Sequence, residues 1–206
     1  IPVTEREKIK KIYSIRGEIL QQQKPKGNDL LKLKYQWYMQ DYLASAASVD
    51  ESVGEILNYL DSTGLANNTM VVYTSDQGFY LGQNGWFDKR WMYDVSMRTP
   101  LIIRWPGKIK AGSSNHTMVQ NIDYAPTFLD MAGIPVPASM QGLSLQPLLI
   151  QQKTTWNRKS LYYHFYEYKA DHTVLQHLGV RTERYKLIYF YTVNEWQLFD
   201  LLKDPS

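Results

Sequence analysis

Asp76 and Gln77 stand side by side in the string Thr74-Ser75-Asp76-Gln77-Gly78, directly after the apolar run Met70–Tyr73. A carboxylate beside an amide oxygen offers two hard donors of the kind that Ca²⁺ and Mg²⁺ prefer. Lys89 lies further along the same stretch, beyond a segment that carries Gly78, Gly82 and Gly85. Its ammonium can bring a positive charge to an anion held by such a cation. Each feature also has a plainer reading. Asp and Gln after a strand are ordinary turn residues, and Lys89 sits in the charged cluster Asp88-Lys89-Arg90.

The elements around these residues favour a site. Met70–Tyr73 is short, rich in β-branched and aromatic residues, and ends in turn formers, which predicts a buried strand entering a loop. Ligands of open α/β sheets gather just beyond the carboxyl ends of strands, where this reading puts Asp76 and Gln77. Upstream, Tyr35, Tyr38, Tyr42, Ala46, Val49, Val53, Ile56 and Leu60 recur at steps of three or four and form one face of a helix over about 34–62. Gly64 is placed to end it with a left-handed cap, and Leu65 supplies the apolar residue usual after such a cap. Helix, tight turn and strand in this order suggest an α/β layer with a largely parallel sheet.

Thr4 and Glu7 have the spacing of a capping box opening a helix to about Leu20, and Gln21–Asn28 reads as a loop. Leu101–Arg104 is a second short strand, stopped by Pro106-Gly107. Asp123 is placed to cap a helix through Met131, with Pro126 in its first turn and Gly133 at its end. Pro135, Pro137 and the Gln-rich stretch at 150–152 mark a boundary, giving domains 1–150 and 151–206. After it come aromatic, β-favouring runs at Leu161–Tyr168, His172–Thr182, Tyr185–Tyr191 and Trp196–Leu201, with Arg184 at a tight turn: a small antiparallel sheet. The aromatic run at 162–166 reads as packing against the rest of the chain rather than as a sugar platform.

The stretch from Ser75 to Gly107 resembles the second signature region of the formylglycine-dependent (type I) sulfatases, within the alkaline-phosphatase-like superfamily. Its ordered pieces are Ser75-Asp76-Gln77-Gly78, Gly82-Gln83-Asn84-Gly85, Lys89, Tyr93-Asp94, Arg98-Thr99-Pro100-Leu101-Ile102 and Pro106-Gly107. The resemblance continues at Asn121–Thr127, Gln141–Leu145 and Glu195–Leu201. It implies part of an alkaline-phosphatase-like mixed sheet flanked by helices, plus a small C-terminal antiparallel sheet. It further implies Asp76 and Gln77 as metal ligands, with Ca²⁺ ahead of Mg²⁺, and Lys89 as a residue bonding the sulfate oxygens.

Two departures stand out. The family's nucleophile motif, C/S-x-P-S/A-R with the Cys or Ser oxidised to formylglycine, is absent, as is the N-terminal pair of aspartates. The resemblance is therefore to the C-terminal part of a sulfatase. Formylglycine is expected in the missing N-terminal half, and the chain alone is expected to be inactive. Asn84 stands where many relatives place His; an amide hydrogen-bonds but is no general acid near neutral pH. His177, before Leu178-Gly179, resembles a position that borders the substrate pocket in some relatives. Arg98 is expected to be structural, pairing with a carboxylate such as Asp94.

The implied reaction is hydrolysis of a sulfate ester on a small molecule or glycan, the carbohydrate preference resting on relatives that share Gly85-Trp86-Phe87-Asp88-Lys89-Arg90. The rivals are a non-catalytic domain binding an anion or partner, and a phosphoryl-transfer relative, whose extra His and Asp ligands are not seen in that arrangement. A net charge of +3 over 206 residues lacks the density of nucleic-acid binding, and no apolar stretch approaches the roughly 20 residues that cross a bilayer. The absence of Cys excludes disulfides and fits either redox compartment. By family resemblance alone the expected place is periplasmic, secreted or lysosomal.

Overall fold

Two long helices open the chain in the computed structural model, whose described residues are 3–150, 156–167 and 173–204. Helix α1 is Val3–Gln23 and α2 is Gly27–Ser62. Thr4 lies inside α1 and Glu7 pairs with Lys10, so the expected capping box does not form. The loop between the helices is only 24–26, shorter than predicted, because Lys24 and Gly27 both take positive φ and turn the chain sharply. The contacts of the chain fall into two units, 1–58 and 59–206. Within the first, Arg16 binds Asp41 through two hydrogen bonds of 2.7 and 2.8 Å and lies over the rings of Tyr13 and Trp37. No described residue of either helix is buried, and Tyr35, Tyr42 and Ile56 on the predicted apolar face of α2 are 42–56% exposed.

The second unit begins in the last turn of α2. Gly64, at φ 73°, ends the helix as predicted, and a 3-10 turn, Leu65–Asn68, leads into strand β1, Val71–Thr74. Strand β2, Leu101–Arg104, pairs with β1 antiparallel, with Val71 opposite Arg104 and Thr74 opposite Leu101. The largely parallel layer inferred from helix–strand order is not what these two strands make. Parallel neighbours need a long crossover, usually a helix. The 75–100 connection carries only a three-residue 3-10 turn, Gln83–Gly85, and a one-turn helix α3, Asp94–Met97. Helix α4 is Tyr124–Met131 and α5 is Gln146–Leu149.

Asp123 precedes α4 but does not cap it with its side chain. The carboxylate turns back to accept the Gln120 amide at 2.8 Å and the Leu143 amide at 2.9 Å, and it receives both Arg158 nitrogens at 2.5 and 2.7 Å. Gly142 makes this closure possible, since a Cβ there would lie 1.9 Å from the Ile122 carbonyl oxygen.

The four-stranded antiparallel sheet read from the aromatic runs is present, in the order β3 (Ser160–Phe165), β4 (His177–Thr182), β5 (Tyr185–Phe190) and β6 (Glu195–Asp200). Arg184 sits in the tight β4–β5 turn and pairs with Asp200. His172, the predicted start of the second run, and residues 151–155, where the sequence places a domain boundary, lie outside the described residues. Alternation along β3 sends Tyr163 and Phe165 inward and Tyr162 outward. The inner face packs Ile188 and Phe190 on Met92, with Trp91, Tyr93, Tyr163 and Phe199 around them. A cross-strand row on the outer face, Tyr162, Val180, Leu187 and Leu198, is 39–69% exposed. Among the described residues no helix is long and apolar enough to cross a membrane.

Candidate functional site

Strand β1 delivers Asp76 and Gln77 as the sequence predicts, two and three residues beyond its last residue, Thr74. Thr74 is fixed by bonds from its hydroxyl to the Pro100 carbonyl at 2.8 Å and to the Tyr124 hydroxyl at 2.9 Å. Ser75 donates to the Gln77 carbonyl at 2.8 Å, and Asn121 donates to the Asp76 carbonyl at 3.4 Å. Gly78 then donates to the Ser96 carbonyl at 2.8 Å, so close that a Cβ at Gly78 would fall 2.1 Å from the Val95 carbonyl oxygen. The backbone is thus pinned on both sides of the two candidate ligands. The Asp76 side chain is exposed, and among the described residues no three His, Asp or Glu gather into a group able to hold a metal. Asp76 and Gln77 fit a hard cation as two oxygen donors among the six to eight that Ca²⁺ takes.

From Gly78 the chain runs into a closed loop. Tyr80 donates to the Asp88 carbonyl and Gly82 to the Trp86 carbonyl, both at 2.8 Å. Asn84 lies exposed at the tip, with φ 56° between Gly82 and Gly85. At the base of the loop the Tyr80–Asp88 bond ties the segment just after Gln77 to the segment that precedes Lys89. The Asp88 carboxylate accepts the Lys89 and Arg90 amides at 2.6 and 2.7 Å and the Arg90 guanidinium at 3.1 Å. Burial pushes this carboxyl up, but the two amides and Arg90 outweigh it and hold its pKa below the ordinary value. The Lys89 side chain is half-buried and makes no hydrogen bond or ion pair among the described residues, so its ammonium has no competing anion there.

A pocket of about 640 Å³ opens beside the loop tip, lined by Tyr80, Asn84, Trp86, Tyr93, Asp94 and Gln197 among others. The Tyr80 phenol is fully buried and has no hydrogen-bond partner among the described residues, and burial pushes its pKa up to about 12. Asp94 does not hold Arg98, the partner expected from the sequence. It holds Lys186 and, at 3.3 Å, Arg181, both from the four-stranded sheet. Lys186 is itself buried, so the nearest unscreened cation to Asp94 comes from the sheet.

His177 does not line this pocket. It is fully buried in the sheet, stacked on Trp91 at 5.8 Å and surrounded by Tyr163, Phe165 and Phe190. Its Nε2 accepts the Met92 amide at 3.2 Å, which leaves the ring proton on Nδ1, 2.8 Å from the Leu175 carbonyl. Both nitrogens are used, so neither is free to exchange a proton with a substrate. Sequence reading missed this because a strand position tells which face a residue takes, not how deep that face lies. It also missed Asp88, although an Asp before two residues whose amides need partners is a recognisable turn signal.

Burial lowers the His177 pKa, and the nearby His164 charge acts in the same direction. Asp94, despite the upward push of burial, is held below its usual value by Lys186 and Arg181. The neutral His177 and the ionised Asp88 and Asp94 are therefore the forms that the fold prefers. Stability from His177 is complete above the unfolded imidazole value of about 6.5 and is lost as pH falls through its lower folded value. Stability from the two carboxylates is complete above about 4 and is lost on further acidification. The melting temperature should fall in two stages as pH is lowered, and His177→Gln should remove the first. Circular dichroism melts from pH 8 to pH 3 check this; a single stage below pH 4 in the wild type would show that His177 does not titrate with folding.

A family model described as "Sulfatase" matches residues 11–134, and one described as "N-sulphoglucosamine sulphohydrolase, C-terminal" matches residues 82–206. The chain is 53% identical over 184 residues to an N-acetylglucosamine-6-O-sulfatase of Bacteroides thetaiotaomicron, covering 87% of this chain and 33% of that protein. It is 43% identical over 111 residues to an extracellular sulfatase SULF-1 homolog of Drosophila melanogaster, covering 53% of this chain and 10% of that one. A solved structure described as a complex with its substrate D-glucosamine-2-N,6-O-disulfate superposes with a TM-score of 0.92 at 48% identity, covering 100% of this chain and 42% of that chain. The chain thus spans about a third of the length of the bacterial relative it matches.

Proposed function

Because the chain belongs to the sulfatase family, we propose that it forms the C-terminal part of an enzyme that removes a sulfate ester from an amino sugar. The observation that carries this reading is the pairing of loop base and strand end. The pinned backbone that carries the Asp76 and Gln77 side chains and the unpartnered ammonium at Lys89 are set on one continuous hydrogen-bonded frame. Lys89 would bind a sulfate oxygen and hold the charge that builds on the group as the ester bond breaks. Asp76 and Gln77 would hold Ca²⁺, which neutralises the sulfate when bound. The other oxygens of its shell, and the nucleophile, come from outside the described residues. Asn84 would give a hydrogen bond to the sugar from the loop tip and move no proton.

The substrate class is drawn from the relatives: one is named for 6-O-desulfation of N-acetylglucosamine, and the structural neighbour holds a sulfated glucosamine. A site outside the cytoplasm agrees with such substrates and with the fly relative named as extracellular. In the full-length protein, glucosamine 6-sulfate should release inorganic sulfate in the presence of Ca²⁺. The 206-residue chain alone should release none and should bind Ca²⁺ only weakly by calorimetry. Sulfate release that is absent from the full-length protein, or sub-micromolar Ca²⁺ affinity in the chain alone, would count against the assignment.

A further inference from the structure

The segment that presents Lys89 has no helix or strand to shape it. Between Trp86 and Tyr93 the backbone is irregular. Irregular backbone away from water must find partners for its N–H and C=O groups elsewhere. Main-chain amides reach the Trp86, Asp88 and Tyr93 carbonyls, and between Lys89 and Met92 side chains supply the partners. Asp88 takes the amides of Lys89 and Arg90. Tyr163, on β3, donates its hydroxyl to the Arg90 carbonyl at 3.0 Å. Ser96 donates to the Trp91 carbonyl. His177, on β4, accepts the Met92 amide at 3.2 Å. Two of these four anchors come from the four-stranded sheet, more than 70 positions further along the chain.

We propose that His177 and Tyr163 are positioning residues that clamp the backbone at 90–92 and thereby fix where Lys89 delivers its charge. The proposal rests on Lys89 binding the sulfate. The chemistry of the clamp requires a histidine in one tautomer. The acceptor must lie inside an aromatic slab, where Trp86, Trp91 and His177 stack in sequence at 5.2 and 5.8 Å. A neutral imidazole is flat enough for the stack, offers a lone pair at Nε2 for Met92, and directs its own N–H into the Leu175 carbonyl. The neighbouring inward position of β4 is Gly179, where a Cβ would sit 2.4 Å from the Met92 sulfur. His177 and Gly179 together form the seat for Met92. An error of about 1 Å at a positioned catalytic group can cost on the order of 10²-fold in rate, so a clamp one to three residues from Lys89 has leverage on turnover.

The test compares His177→Phe, His177→Gln and Tyr163→Phe in the full-length protein with the wild type, measuring kcat, KM and amide exchange at Met92. Phe keeps the stacked ring and removes the acceptor; Gln puts an acceptor oxygen near the Nε2 position. His177→Phe should lower kcat per folded molecule on the order of 10²-fold with KM little changed, and should speed exchange of the Met92 amide. His177→Gln should recover most of both. Tyr163→Phe, the milder change, should lower kcat by about 5-fold, the worth of one hydrogen bond. A purely structural role would lower the melting temperature and the yield but leave kcat per folded molecule unchanged, and that result overturns the proposal. So does a Met92 amide that stays protected in His177→Phe. If Lys89→Ala has wild-type kinetics, the reading of Lys89 fails, and Met92 exchange then judges the clamp by itself.

Discussion

Lys89→Ala in the full-length protein should lower kcat for a sulfate ester by about 10²–10³-fold, the usual consequence of deleting a donor that stabilises transition-state charge. Its melting curve should stay close to wild type. The two outcomes go together for a structural reason: the Lys89 ammonium bonds to nothing among the described residues, and the backbone amide that holds the loop is kept by alanine. Lys89→Arg retains the charge but spreads it over a planar fork, so it should recover only part of the rate. Steady-state kinetics alongside a thermal melt separate these effects. Wild-type kinetics in Lys89→Ala would put the loop outside the active site, whatever the metal site does.

The largest loss of stability should come from Asp123→Ala. The carboxylate is fully buried, and Arg158, whose side chain is 7% exposed, depends on it for both of its short bonds. Removing one partner of a buried pair leaves the other charge uncompensated, a cost of about 3–5 kcal/mol. Asp123→Ala also frees the Gln120 and Leu143 amides. The double change Asp123→Ala with Arg158→Met should therefore lose less than the sum of the single changes, since no charge is then stranded. Denaturant melts of the three variants give the coupling directly. A single-mutant loss under about 1 kcal/mol, or strict additivity, would mean that water reaches this pair and that the turn at 120–123 stands without it.

Local rules are enough for the elements whose signals lie close together in the chain. The positive φ of Gly64, the two short strands, helix α4 and the four antiparallel strands are all legible from spacing, turn residues and β-branched or aromatic runs. Asp76 and Gln77 are placed correctly at a strand end for the same reason. The features that escape such reading are set by distant partners. Nothing near Asp94 says that it will take Lys186 and not Arg98. Nothing near Asp123 says that Arg158 will draw its side chain away from the helix it precedes. His177 shows its alternation but not its depth, because depth depends on Trp91 and Phe190 arriving from elsewhere. The direction of β1 against β2 fails on a rule about connections, since a helix before one strand does not fix which way the next strand runs.

Nearer the tip the Gln83 side chain accepts the Leu81 amide, but the base of the loop that carries Asn84 is closed by main-chain bonds, Tyr80 to Asp88 and Gly82 to Trp86. Such bonds are blind to side-chain identity, so mutation at the tip leaves the base, and with it Lys89, undisturbed. The tip is not free of constraint, because φ 56° at position 84 suits only Asn, Asp, His or Gly without strain. Those residues differ sharply in what they offer a ligand: an amide, a carboxylate, an imidazole, or nothing. Asn codons reach His and Asp codons by single-nucleotide changes. On the function proposed above, a lineage carrying this loop would change its preference among sulfated sugars in one mutational step, without passing through an intermediate that has lost its catalytic frame.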